Sequence, residues 1–177
     1  MAAPSSYQGP RAEQKGKRVS ASQDAHIAFE KAYSNTTVGD ILEEAHGVLY
    51  SVTVNASLAS VIAELNVRKI GNMPVVDPNA GLVGVVSERD VIRATGDLGE
   101  EALSRPVKDF MTANPKTCSK GDKVGDVMKR MTDGRFRHMP VVDGDVLEGV
   151  ISIRDIVMHR VKEVEFEALR LKQLLVG

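Results

Sequence analysis

Met73-Pro74-Val75-Val76-Asp77 recurs letter for letter as Met139-Pro140-Val141-Val142-Asp143, a step of 66 positions from 73 to 139. Gly84-Val85-Val86-Ser87-Glu88-Arg89-Asp90-Val91 recurs as Gly149-Val150-Ile151-Ser152-Ile153-Arg154-Asp155-Ile156, a step of 65 from 84 to 149. The difference falls between the blocks, where Pro78-Asn79-Ala80-Gly81 stands opposite Gly144-Asp145. A change of length at a tight turn is what a duplicated β-hairpin tolerates. Upstream, Val38-Gly39-Asp40-Ile41-Leu42 aligns with Val107-Lys108-Asp109-Phe110-Met111, and Thr53-Val54 with Thr117-Cys118. Blocks repeated in the same order make a tandem duplication the governing fact of the fold.

Both copies carry the same coarse pattern. A short helix (37–45 and 106–112) precedes a brief strand (52–54 and 115–118). An amphipathic helix follows, with Leu58, Val61, Ile62 and Leu65 on its apolar face in copy one, and Val124, Val127, Met128 and Met131 in copy two. Two β-branched strands come next, 73–77 with 82–86 and 139–143 with 147–151. A last helix opens at Ser87 or Ser152. The fold class is therefore α/β (α+β), built from two β-α-β-β-α units. A unit of roughly 60 residues buries too little surface to stand alone. Two copies packed sheet to sheet about a pseudo-twofold axis remove that difficulty. The expected divisions are an N-terminal arm (1–35), copy one (36–97), a linker (98–105), copy two (106–160) and a helical extension (161–177).

Composition narrows the function. The formal net charge is −1 over 177 residues, so no global basic field points to nucleic acid or an anionic membrane. Apolar runs are only a few residues long, which predicts no membrane insertion. The N-terminus lacks the pattern of a secretory signal, so a cytoplasmic location is expected. Aromatic content is 4% with no Trp, which leaves no stacking platform for single strands. The single cysteine, Cys118, has neither a disulfide partner nor metal-ligand companions, and reads as a small buried strand residue. His46, beside Glu43 and Glu44, lacks metal geometry, and His159 reads as a helix-face residue. No Gly-x-Ser-x-Gly, His-Glu-x-x-His or phosphate loop of the Walker type is present, and no nucleophile has an evident base. Neither an enzyme, a metal site nor a catalytic cofactor is expected.

Residues 1–21 are rich in Pro, Ser, Gly, Gln and Lys, and are expected to be disordered. Residues 22–33 predict a short helix capped by Ser22, with Ala25, Ala28, Phe29 and Ala32 on one face. At the other end a helix is predicted from about 153 to 175. Val157, Val161, Val164, Ala168, Leu171 and Leu175 fall on it at heptad spacing. Its first two turns are expected to pack on their own domain. Beyond Glu165 a partner chain is expected, which predicts a homodimer.

The strand-to-helix segments Ser87-Glu88-Arg89-Asp90 and Ser152-Ile153-Arg154-Asp155 hold what chemistry there is. Free backbone N–H groups and the positive end of a helix dipole meet at such a junction and welcome an anion. The serine hydroxyl can donate to phosphate or sugar, the carboxylate can accept from ribose hydroxyls, and the arginine can neutralise phosphate. Ser-x-x-Asp is equally a helix capping box. Its recurrence in both copies after Gly-Val-Val or Gly-Val-Ile favours a ligand. Copy two also carries Arg135-Phe136-Arg137-His138 where copy one has Lys69-Ile70-Gly71-Asn72. Two readings of Arg135, Arg137 and His138 stand side by side, added phosphate contacts or a solvated basic loop.

From about Thr36 to Arg160 the chain resembles a pair of CBS domains, the cystathionine β-synthase-type repeats that associate as a Bateman module. The resemblance rests on the apolar-x-Pro-Val-Val-Asp strand and on Gly-h-h-Ser-x-x-Asp, each present twice (h, apolar). It implies AMP, ADP or ATP, with NAD(H) or S-adenosylmethionine as alternatives, in the cleft between repeats, and often a dimeric disc. Carried over, one site combines Thr53, Asn72, Met73, Pro74 and Val75 with Ser152, Arg154 and Asp155. The other combines Thr117, His138, Met139, Pro140 and Val141 with Ser87, Arg89 and Asp90. Asp90 and Asp155 would hold ribose. The implied role is regulation of a separate target protein; the alternative is a ligand-free interaction module.

Overall fold

The computed structural model describes residues 35–45 and 48–176. Nearly all of the expected N-terminal arm, the predicted helix over 22–33 and His46 lie outside the described residues, as do the side chains of Leu171 and Leu175. The elements run α1 (Val38–Ala45), β1 (Val52–Thr53), α2 (Leu58–Arg68), β2 (Asn72–Asp77), β3 (Gly81–Ser87), α3 (Glu88–Leu98) and α4 (Glu101–Ser104). A 3₁₀ turn (Val107–Asp109) leads to β4 (Thr112–Ala113), α5 (Val124–Gly134), β5 (His138–Asp143), β6 (Val146–Ser152) and α6 (Ile153–Val176).

Each duplicated block forms an antiparallel hairpin with the same register. Pro74 faces Val85 and Pro140 faces Val150, and each ladder is interrupted after Val75 or Val141. The turns account for the one-residue difference. Copy two turns on Gly144-Asp145, with Gly144 at φ 56°. Copy one needs Pro78-Asn79-Ala80, and Asn79 N–H donates to Asp77 Oδ1 at 2.8 Å. Met73, Val75 and Val86 bury under α2 with Val61 and Leu65. Met139, Val141 and Ile151 are as deeply buried, with Val124, Val127 and Met131 on α5.

The short segments that precede each copy pack on the other copy. Val107 sits in the core of copy one, and its N–H donates to Ala56 O at 2.8 Å. β4 then adds to the edge of β3 and completes a four-stranded sheet in the order β1-β2-β3-β4. Conversely, Val38 and Gly39 N–H donate to Asp122 O and Lys120 O of copy two. The repeated glycines explain how this fits. A Cβ at Gly149 would lie 3.2 Å from Leu42, and one at Gly84 would overlap Met111, the residue aligned with Leu42. Each glycine thus leaves room for the crossing segment, so neither repeat completes its own core.

Three local expectations are corrected. The helix expected over 106–112 is only the 3₁₀ turn, because residues 112–113 are drawn into the β3 edge. The strand expected over 115–118 reduces to a single bridge between Cys118 and Val141. The apolar stripe of α6 does not pack on its own domain, even in its first two turns. Val157, Val161 and Val164 are 43–47% exposed, while Ile156 is buried. The cap at Ser152 and the insertion of Ile156 into the core set the rotation of the helix, which leaves the heptad stripe outward. His159 is likewise more than a helix-face residue: its Nδ1 lies 3.1 Å from Glu44 Oε2 and ties α6 to α1.

Cys118 is buried, and burial raises its thiol to about 11. Since the thiolate is the reactive species, alkylation by iodoacetamide near pH 8 is expected to be roughly a hundredfold slower in folded protein than in urea-unfolded protein. Equal rates would contradict the burial.

Candidate functional site

Both Ser-x-x-Asp segments form complete capping boxes. Ser87 Oγ and backbone N–H donate to Asp90 Oδ2 at 2.6 and 2.9 Å, and Asp90 N–H donates back to Ser87 Oγ. Ser152 and Asp155 repeat this with 2.6 and 2.9 Å. The bland function of the motif is therefore real, and it consumes one oxygen of each carboxylate. The second oxygen separates the copies. Asp90 Oδ1 accepts from Arg93 Nη2 at 2.9 Å. Asp155 Oδ1 accepts no hydrogen bond among the described residues, since the residue three further on is Met158.

A cleft of about 340 Å³ lies where the copies meet. Copy one contributes Tyr50, Ile70, Asn72 and Pro74, and copy two contributes His138, Val150, Ser152 and Asp155. Its lining combines the apolar Tyr50, Ile70, Pro74 and Val150 with the polar Asn72, Ser152 and Asp155, a suitable mixture for a flat base and a polyol. A second cleft of about 410 Å³ is lined by Ser87, Glu88, Arg89, Ile92, Arg135, Phe136, Arg137 and His138. Gly71 and His138 line both. The guanidinium groups of Arg89, Arg135 and Arg137 have no carboxylate partner among the described residues. Lys69 and Arg135 close α2 and α5 in the left-handed conformation, φ 55° and 56°. That sharp exit swings Ile70–Asn72 and Phe136–His138 toward the clefts.

Of the residues expected at the first site, Asn72, Pro74, Ser152 and Asp155 meet in one cleft, while Thr53 and Arg154 are exposed and line neither cleft. At the second, Ser87, Arg89, Arg135, Arg137 and His138 come together without Asp90 and Pro140. Thr117 lines a separate hollow beside Leu82 and Val142. Met73, Val75, Met139 and Val141 turn their side chains into the cores, so only their backbones can meet a ligand. Tyr50 and Ile70 were missed by sequence reasoning. They sit in irregular segments beside β1 and β2, where neither periodicity nor the repeat marks a cleft wall.

Burial lowers the His138 pKa, assisted by Arg137 and opposed by Asp155. The folded state therefore binds this proton less readily than the unfolded chain. The stability so conferred is present above the ordinary histidine value of 6.5 and is lost as pH falls below it. The midpoint of thermal unfolding is expected to fall between about pH 7.5 and 5.5, and His138→Gln to flatten that slope. An unchanged slope in the variant would remove His138 from the account.

Among the described residues no helix is long and apolar enough to cross a membrane, and no group of three or more His, Cys, Asp or Glu is placed to hold a metal ion. The chain is 30% identical to the CBS domain-containing protein CBSX3, mitochondrial, of Arabidopsis thaliana over 84% of its length and 76% of that relative. Three further curated relatives are spanned over 65%, 49% and 36% of their lengths. Among solved structures, the CBS-domain containing protein ATU1752 of Agrobacterium tumefaciens superposes with a TM-score of 0.66 at 34% identity, covering 71% of this chain and 99% of that one. CBSX2, solved in complex with AMP, superposes at 0.62 with 27% identity, over 72% and 98% of the two chains. The CBS domain profile itself matches residues 38–97 and 107–162. With two such matches and the interlocked hairpins described above, the chain belongs to the CBS domain family as a tandem pair.

Proposed function

We propose that this chain is a non-catalytic regulatory module that binds an adenine nucleotide between its two repeats. Asp155 Oδ1, a carboxylate oxygen without a donor among the described residues at the wall of the interrepeat cleft, carries the reading. It accepts from the ribose hydroxyls, Ser152 Oγ assists, and the base lies against Tyr50, Ile70 and Pro74. The phosphates pass His138, common to both clefts, toward Arg89, Arg135 and Arg137. The AMP bound by CBSX2 supports the ligand class. A cytoplasmic location accords with such a ligand. Binding shifts one repeat against the other, and α6, tied to α1 through His159 and Glu44, reports the shift to a separate target protein.

The test is thermal unfolding of ligand-stripped protein with AMP, ADP, ATP, NADH and S-adenosylmethionine. A nucleotide at about 100 times its Kd stabilises by about 2.7 kcal/mol, a rise on the order of 5–10 °C for a module of this size. No rise with any adenosine ligand overturns the reading. The second reading, a ligand-free homodimerising module, is favoured by the exposed Val157, Val161, Val164, Phe166 and Leu169 of α6. It predicts a dimer by sedimentation and no thermal response.

A further inference from the structure

We infer that Arg93 makes the two repeats unequal, so that the module seats one nucleoside at Asp155 well before any at Asp90. The inference rests on the nucleotide reading above and goes further by assigning occupancy to a residue outside both clefts. The two capping boxes match to within a few tenths of an ångström. The repeats diverge one helical turn on, where Arg93 in α3 aligns with Met158 in α6. Nη2 of Arg93 holds Asp90 Oδ1 at 2.9 Å, so both oxygens of that carboxylate are taken from within its own helix. The Asp90 side chain is only 10% exposed and is not part of the cleft that Ser87 and Arg89 line. Asp155 keeps Oδ1 unpartnered among the described residues and lines the cleft with Asn72 and Pro74.

A ribose hydroxyl is a neutral donor. At Asp155 it meets an oxygen that accepts from none of the described residues. At Asp90 it must displace a guanidinium, which adds the attraction of an ion pair to the hydrogen bond, whereas the incoming hydroxyl is a neutral donor. The Arg93 side chain must also swing away from the carboxylate. The cleft beside Ser87 is left without the Asp90 carboxylate and with three arginines against the one carboxylate of Glu88, so in the native protein it serves as an anion seat and not as a second nucleoside site. Arg93 is 63% exposed, so its replacement disturbs no core.

The experiment is calorimetric titration of the stripped full chain with AMP, on wild type, Arg93→Met and Met158→Arg. Wild type is expected to show one site, with any second at least tenfold weaker. Arg93→Met is expected to show two sites within about threefold of each other. Met158→Arg is expected to weaken the wild-type site at least tenfold, with unchanged circular dichroism. Two equal sites in wild type overturn the inference, as does a single unaltered site in Arg93→Met. No binding in any of the three proteins overturns the nucleotide reading itself, and the inference falls with it.

Discussion

Asp155→Ala is expected to weaken AMP binding by roughly ten- to a hundredfold, while Asp90→Ala leaves the affinity within about threefold of wild type. The magnitude follows from losing a hydrogen bond to a charged acceptor, about 1.5–3 kcal/mol in a cleft. The comparison separates binding from folding. Each aspartate completes a capping box with its serine, and losing one costs about 1 kcal/mol of stability in either variant. Asp90→Ala loses the Arg93 ion pair as well. Both variants should therefore melt a few degrees below wild type, with Asp90→Ala at least as low, and only Asp155→Ala should lose affinity. Titration with AMP beside a melting curve for each protein is the measurement. Equal loss of affinity in both would mean that the pair of carboxylates acts symmetrically, contrary to the geometry.

Gly81→Ala is expected to be the most damaging single methyl addition at a turn. Gly81 adopts φ 70°, and its missing Cβ points at the backbone carbonyl of Asp145, the turn residue of the other hairpin. The left-handed conformation alone costs about 1–2 kcal/mol. The overlap is with backbone, so the two hairpin tips must also separate, for a total of about 3 kcal/mol or more. A fall in melting midpoint on the order of 6–12 °C should result. Gly144→Ala is the control. Its φ of 56° carries a similar conformational cost, but an added Cβ there meets nothing within 4 Å. A smaller shift, about 2–8 °C, is expected for it. If the two variants melt together, the close approach of the hairpin tips does not exist in solution.

Much of this architecture is written in the primary structure, because a duplicated block must fold twice into the same local form. The hairpins need only β-branched alternation and a turn, and both are local. Ser87 and Ser152 cap helices through bonds to residues three positions away, so the sequence motif and the structural motif coincide. The pairing of Asn72 and Pro74 with Ser152 and Asp155 was anticipated through the family resemblance, and the cleft brings those four together. What escaped the sequence depends on distant partners. The exchange of the segments at Val38–Leu42 and Val107–Met111 is invisible in an alignment, since each segment looks like the start of the copy it precedes. The heptad stripe of α6 faces outward from its first turns, contrary to the sequence expectation, because periodicity reports a stripe but not its direction. Ile156 and the cap at Ser152 decide that.

By itself, then, the sequence determined two like units, their strands and turns, and two helix junctions of the same Ser-x-x-Asp pattern. Only the tertiary structure decided that those junctions are unequal. The difference lies in whether a guanidinium one helical turn away reaches the second carboxylate oxygen, and whether that oxygen faces the seam between repeats. Hydrogen-bond capacity is a property of residue type, but availability to a ligand depends on what else has already taken the lone pairs.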